Sequence, residues 1–217
     1  MKTKFEETLS ASKKLHVQQV LEGFEILLGY ETRNKYRILD ENMNPIAFAA
    51  EASKGFGAAL MRGLLKHWRS FEIEIFDQNR QMMYRAIFPF RWFFKVLYLE
   101  NDSGNLMGHL QQRFSILYKK FDLCDANGMI IAEVNSPIFK LWTFEFRKNN
   151  RKIGTIQKQW SGALNEIFTD KDNFIVSFAQ PDLKVETKAL MMAACLMVDI
   201  VYFENNQGSG SILNLVD

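Results

Sequence analysis

The chain has 217 residues, 27 Lys+Arg against 25 Asp+Glu, and 47% hydrophobic residues. That length and balance suit one large domain with a sizeable core, and they exclude a disordered or collagen-like chain. A net charge of +2 gives no global reason to expect a nucleic-acid partner, and two distant cysteines, Cys124 and Cys195, exclude a disulfide scaffold or a zinc ribbon.

Residues 1–14 form a polar N-terminal segment with no apolar stretch, so no secretory signal is read there. From Tyr36 onward the chain repeats one unit, a β-rich run, a polar turn and another β-rich run. Tyr36–Asp40 returns as Ile46–Glu51, Phe71–Phe76 as Met82–Phe88, and Phe94–Leu99 as Leu106–Leu110. Ser115–Leu123 returns as Met129–Val134, and Leu141–Phe146 as Ile153–Ile156. Each intervening turn carries Asn, Asp or Gly, which tolerate left-handed backbone or bond to it locally. With Leu15–Leu28 and Asn173–Phe178 added, about twelve strands are expected.

So many antiparallel strands are expected to close, because open edges aggregate. The last strongly helical stretch, residues 183–204, is apolar on every side between Ala189 and Val198. It is too short to span a membrane, which takes about 20 apolar residues, and it needs cover all round. The expected fold is therefore mainly β: a closed antiparallel barrel of about twelve strands around a central C-terminal hydrophobic helix. The barrel domain runs over residues 15–205, and residues 206–217 form a tail. The chain reads as soluble or peripheral and kept inside the cell.

Charge is segregated along this chain. Residues 53–95 hold eight Lys/Arg against three Asp/Glu, which leaves the remainder net negative. Two parts of this region combine cations with aromatics. In the first, Phe56, Leu60, Leu64 and Trp68 follow helical spacing, while Lys54, Arg62, Lys66 and Arg69 are basic. The second is Arg91-Trp92-Phe93-Phe94-Lys95. Trp and Phe beside Arg and Lys favour a lipid interface, although the same aromatics also suit a core crossing.

Motifs for enzymatic chemistry are sparse. Gly55-Phe-Gly57 lacks the third glycine and the βαβ setting of a dinucleotide loop, and neither a phosphate-binding loop nor a nucleophile elbow occurs. His16, His67 and His109 are isolated. Asp170 and Asp172 have the alternating spacing of a calcium loop. Ile175, however, stands where such a loop turns on glycine, and Pro181 where the final acid belongs, with Asp182 one residue late. The competing reading is a polar turn, with Asp182 capping the last helix.

An ordered series of short motifs resembles the phospholipid scramblase family. It comprises Gly29-Tyr-Glu-Thr-Arg-Asn-Lys-Tyr36, Phe48-Ala-Ala-Glu51, Pro89-Phe-Arg91, Lys158-Gln-Trp-Ser-Gly162, Phe168-Thr-Asp-Lys-Asp-Asn-Phe174 and the apolar run from Lys188 to Glu204. The resemblance implies a Tubby-like barrel and calcium-stimulated, energy-independent movement of phospholipids between leaflets. By position it places calcium at Asp170, Asp172, Phe174, Val176, Phe178 and Asp182. The family's cysteine-rich acylation stretches are replaced here by residues 53–69 and 92–95, so aromatic and basic side chains are expected to substitute for acyl chains. The implied partner is a membrane containing anionic phospholipid, and the implied location is cytoplasmic, on the inner face of the plasma membrane. The alternative is a lipid-headgroup-binding or regulatory module on the same scaffold, with a lipid-metabolising enzyme a distant third.

Overall fold

The computed structural model describes residues 3–20, 34–52, 70–91, 93–116, 118–137, 142–159 and 173–200. Helix α1 (Lys4–Ala11) opens the described chain, where the sequence reading had only a polar segment. Its N-terminus is a capping box: Glu6 N donates to Thr3 Oγ1 at 3.2 Å, and Thr3 N donates to Glu6 Oε2 at 2.9 Å. Phe5 and Leu9, one turn apart, are its buried face.

Twelve strands follow: β1 (Lys14–Val20), β2 (Lys35–Leu39), β3 (Pro45–Glu51), β4 (Phe71–Asp77), β5 (Met82–Phe88), β6 (Val96–Asn101), β7 (Leu106–Arg113), β8 (Tyr118–Asp125), β9 (Ile130–Pro137), β10 (Thr143–Lys148), β11 (Arg151–Gln159) and β12 (Asn173–Phe178). Each strand pairs antiparallel with the next, and β12 returns to β1, so the sheet closes. The expected closed barrel is what forms. Alternation does the sorting: Phe71, Ile73 and Ile75 of β4 face inward while Glu72 and Glu74 between them do not.

Helix α2 (Val185–Val198) fills the barrel, and each of its residues except Glu186 is buried. Its N-cap is Lys184, with no side-chain cap, and Asp182 is exposed, which corrects the capping role expected of Asp182. The helix lies tight against the wall at two glycines. A Cβ on Gly108 would meet Leu190 Cδ1 and the Cys124 carbonyl, and one on Gly154 would meet Met191 Cε and the Ser177 carbonyl.

Polar anchors hold α2 at both ends. Near its start, Lys188 Nζ donates to Ser10 O at 2.6 Å and Ser12 O at 2.8 Å, so α1 is tied over this end of the barrel. Beyond its last turn, buried Asp199 accepts from Tyr36 Oη at 2.7 Å.

Candidate functional site

Up-and-down connectivity gives the barrel two unlike ends. At one, the β2–β3, β4–β5, β6–β7 and β8–β9 connections repeat a single polar turn. Asp40 Oδ1 accepts from the backbone of Asn42 and Asn44, and Asp77 Oδ1 from Asn79 and Gln81. Asn101 Oδ1 accepts from Ser103 and Asn105, and Asp125 Oδ1 from Asn127 and Met129. The residue three places on, Met43, Arg80, Gly104 or Gly128, has φ of 66°, 65°, 78° or 82°. This is the turn end.

The opposite, loop end receives the connections β1–β2, β3–β4, β5–β6, β7–β8, β9–β10 and β11–β12. Of the residues expected at a membrane, Lys54, Arg62, Lys66, Trp68 and Arg69 lie outside the described residues, as does Trp92. The described residue before that stretch, Ala52, lies at this rim, where its N–H donates to Glu72 O at 2.8 Å. Between β5 and β6, Arg91 is exposed, Phe93 is 79% exposed and Phe94 48%, with Phe94 held at φ 35°. Lys95 is half-buried, and burial lowers its ammonium below the usual lysine range.

Lys95 also staples this loop to the next connection. Its N–H donates to Gln112 Oε1 at 3.1 Å, and its carbonyl accepts from Gln112 N at 2.8 Å. That contact brings in residues that sequence reasoning missed. Phe114 and Ile116 are each 74% exposed, and Tyr118 and Phe90 are exposed beside them. The sequence places a β-rich run at Ser115–Leu123. The strand instead begins at Tyr118, whose N–H donates to Ser115 Oγ at 3.2 Å. Arg113 sits at the edge of this patch, bound to Asp122 (Nε to Oδ1, 3.1 Å) and Glu133 (Nη2 to Oε2, 3.5 Å).

The calcium set fares differently. Phe174, Val176 and Phe178 are buried on the inner face of β12 and offer no side-chain oxygen. The backbone of β12 is engaged by β1 and β11 on its two edges. Asp170 and Asp172 lie outside the described residues, but they lead into Asn173 at the loop end. Asp182 follows Phe178 at the turn end, after a strand of about 17 Å. Among the described members of the set, Phe174, Val176, Phe178 and Asp182 do not converge on one ion. Among the described residues, no group of three or more His, Cys, Asp or Glu is gathered as a metal site.

The family model for scramblases matches residues 2–205. The chain belongs to the scramblase family. It is 31% identical to phospholipid scramblase family member 5 of Homo sapiens, over 92% of this chain and 77% of that protein. It is 28% identical to phospholipid scramblase 2 of Bos taurus, over 93% and 72%, and to phospholipid scramblase 1 of Homo sapiens, over 92% and 65%. The sequence resemblance and this family membership agree.

Proposed function

We propose that this protein is a scramblase-like, non-catalytic phospholipid carrier that docks on a membrane through the loop end of its barrel. It would move phospholipids between leaflets without an energy source. The observation that carries this reading is the exposed apolar rim of Phe93, Phe94, Phe114 and Ile116, flanked by Arg91 and Lys95. Each Phe side chain buried in an apolar phase gains about 1.5–3 kcal/mol. Cations near the rim, with Lys54, Arg62, Lys66 and Arg69 in the β3–β4 connection, favour anionic lipid and hence the inner face of the plasma membrane.

The wall argues for docking rather than spanning. Glu72, Glu74, Arg85, Glu133, Glu145 and Arg147 are on outward-facing positions while the interior is apolar, the reverse of a membrane-spanning barrel. Among the described residues no helix is long and apolar enough to cross a membrane. Drawing α2 out would uncover Leu190, Met191, Met192, Leu196, Met197 and Val198, a cost on the order of 10 kcal/mol, and leave the barrel hollow. Lipid movement on this reading comes from local disturbance of the bilayer at the rim. The enclosed helix also favours the second reading, a headgroup-binding or regulatory module without leaflet exchange.

Flotation of purified protein with anionic and neutral vesicles, followed by a fluorescent-lipid leaflet-exchange assay, separates the two. Binding with exchange supports the carrier, and binding without exchange supports the module. Failure to float with any vesicle contradicts both. Calcium dependence is assigned to Asp170 and Asp172 alone and is read by repeating flotation with calcium and with chelator.

A further inference from the structure

The barrel wall is uneven. β8 and β9 are registered at seven positions and β10 and β11 at six, but β9 and β10 at only two, Val134 with Phe146 and Glu133 with Arg147. Toward the loop end the ladder between these strands stops. Asn135–Pro137 and Thr143–Glu145 make no ladder pairs with one another, and the Ser136 hydroxyl donates to the Thr143 carbonyl at 2.6 Å across the gap. Where the ladder stops lies a cleft of about 210 Å³, lined by Asn135, Ser136, Pro137, Thr143, Glu145 and Arg147.

The chemistry of this cleft is specific. The inward side chains of the same strands, Val134, Phe144 and Phe146, line a separate gap of about 10 Å³ against Ala194, Met197 and Val198, too small for a hydrocarbon chain. Among the described residues, the lining of the cleft carries one cation, Arg147, and one anion, Glu145. Arg147 Nη2 lies 2.8 Å from Glu145 Oε2, both side chains are partly exposed, and Arg147 Nη1 donates to Asn150 O at 3.2 Å. An exposed pair of this kind contributes at most about 1 kcal/mol, so a ligand that brings both charges displaces it at little cost. Asn135, Ser136 and Thr143 add neutral polar groups beside the pair.

We propose that the β9–β10 cleft holds the zwitterionic headgroup of a phospholipid, its phosphodiester on Arg147 and its ammonium on Glu145. A phosphodiester separated by two carbons from an ammonium is a dipole that lies antiparallel to the Arg147–Glu145 dipole. The volume falls below the roughly 300–1,000 Å³ of sites that enclose drug-sized ligands, so the headgroup enters and the acyl chains stay outside. Placement agrees with this. Pro137 at the mouth pairs with Tyr118, two residues and about 7 Å along the chain from Ile116 of the apolar rim. The proposal rests on the reading of the loop end as the membrane face, since that is what brings headgroups to this level.

The test is backbone-amide NMR of the full chain, titrated with monomeric dihexanoyl phosphatidylethanolamine below its micelle concentration. Inorganic phosphate is titrated in a parallel arm, and vesicle flotation is run on the same samples. Saturable shifts at Asn135, Ser136, Thr143 and Glu145 are expected. They should weaken at least fivefold in Glu145→Gln and in Arg147→Gln, with melting temperature unchanged. Shifts confined to other regions, or both variants binding like wild type, overturn the proposal. Phosphate competing as well as the short-chain lipid, with Glu145→Gln silent, also overturns it and leaves a simple anion site. Saturable shifts in a protein that does not float would sustain the cleft while removing the membrane reading.

Discussion

Tyr36 Oη donates a 2.7 Å hydrogen bond to Asp199 Oδ2, joining the barrel wall to the end of the helix inside it. Both residues are buried, so this contact is made in a low-dielectric setting where a carboxylate strongly needs its donors. Tyr36→Phe keeps the ring and removes the donor. Urea denaturation should show a loss of about 1.5–3 kcal/mol with the fold retained. An unchanged midpoint would mean that Asp199 does not rely on this bond.

At the other end of the helix, Lys188 reaches the Ser10 carbonyl of α1 and the carbonyl of Ser12 just after it through two short bonds. Lys188→Met preserves the apolar stem and removes both donors. Hydrogen exchange across residues 4–11 should then accelerate well before the barrel unfolds, since α1 loses its tether while the strands keep their ladders. Exchange in α1 that tracks global unfolding would contradict the tether.

Glycine acts in two different ways in this fold, and two substitutions separate them. Gly154→Ala drives a methyl group into Met191 and the Ser177 carbonyl, and overpacking of this kind costs about 1–3 kcal/mol. Gly128 has open space around it but φ of 82°, so Gly128→Ala costs about 1–2 kcal/mol through backbone strain alone. Arg80 occupies the equivalent turn position at φ 65°. Arg80→Gly should therefore stabilise the protein, and a fall in melting temperature would contradict the equivalence of the turns.

Burial lowers the His16 imidazole below its ordinary range, with Lys14 adding to the effect and Asp40 opposing it. The unfolded chain then binds the proton more readily than the native one. Stability is accordingly highest above the unfolded value near 6.5, falls as pH drops from there to the native value, and levels off below it. His16→Gln should shrink the melting-temperature difference between pH 7.5 and pH 5. An undiminished difference would assign the acid sensitivity to other groups.

Much of the fold was legible because it is written locally. Asp40, Asp77, Asn101 and Asp125 mark hairpins whose side chains make the bonds expected of turn residues, and the alternation in Phe71–Ile75 assigns the faces. The N-terminal helix was present in the sequence as Thr3 and Glu6 around Phe5, with Leu9 a turn later, but this short cue was outweighed by the surrounding charge. The site was harder to read because it depends on which end of the barrel each connection reaches. Phe114 and Ile116 join Phe93 and Phe94 only once β6 and β7 are paired. Asp182 is separated from Asn173 by the length of β12, although nine residues part them in sequence. The break between β9 and β10 has no signature in either strand taken alone.

Insertion depth tests the central claim most directly. A fluorophore is attached in turn at Ile116→Cys on the loop end and Met129→Cys on the turn end, both exposed, while native Cys124 and Cys195 are buried. With anionic vesicles carrying a lipid-chain quencher, the label at 116 should be quenched and the label at 129 should remain as bright as in solution. Quenching at 129, or at neither position in protein that floats with the vesicles, would contradict docking through the loop end.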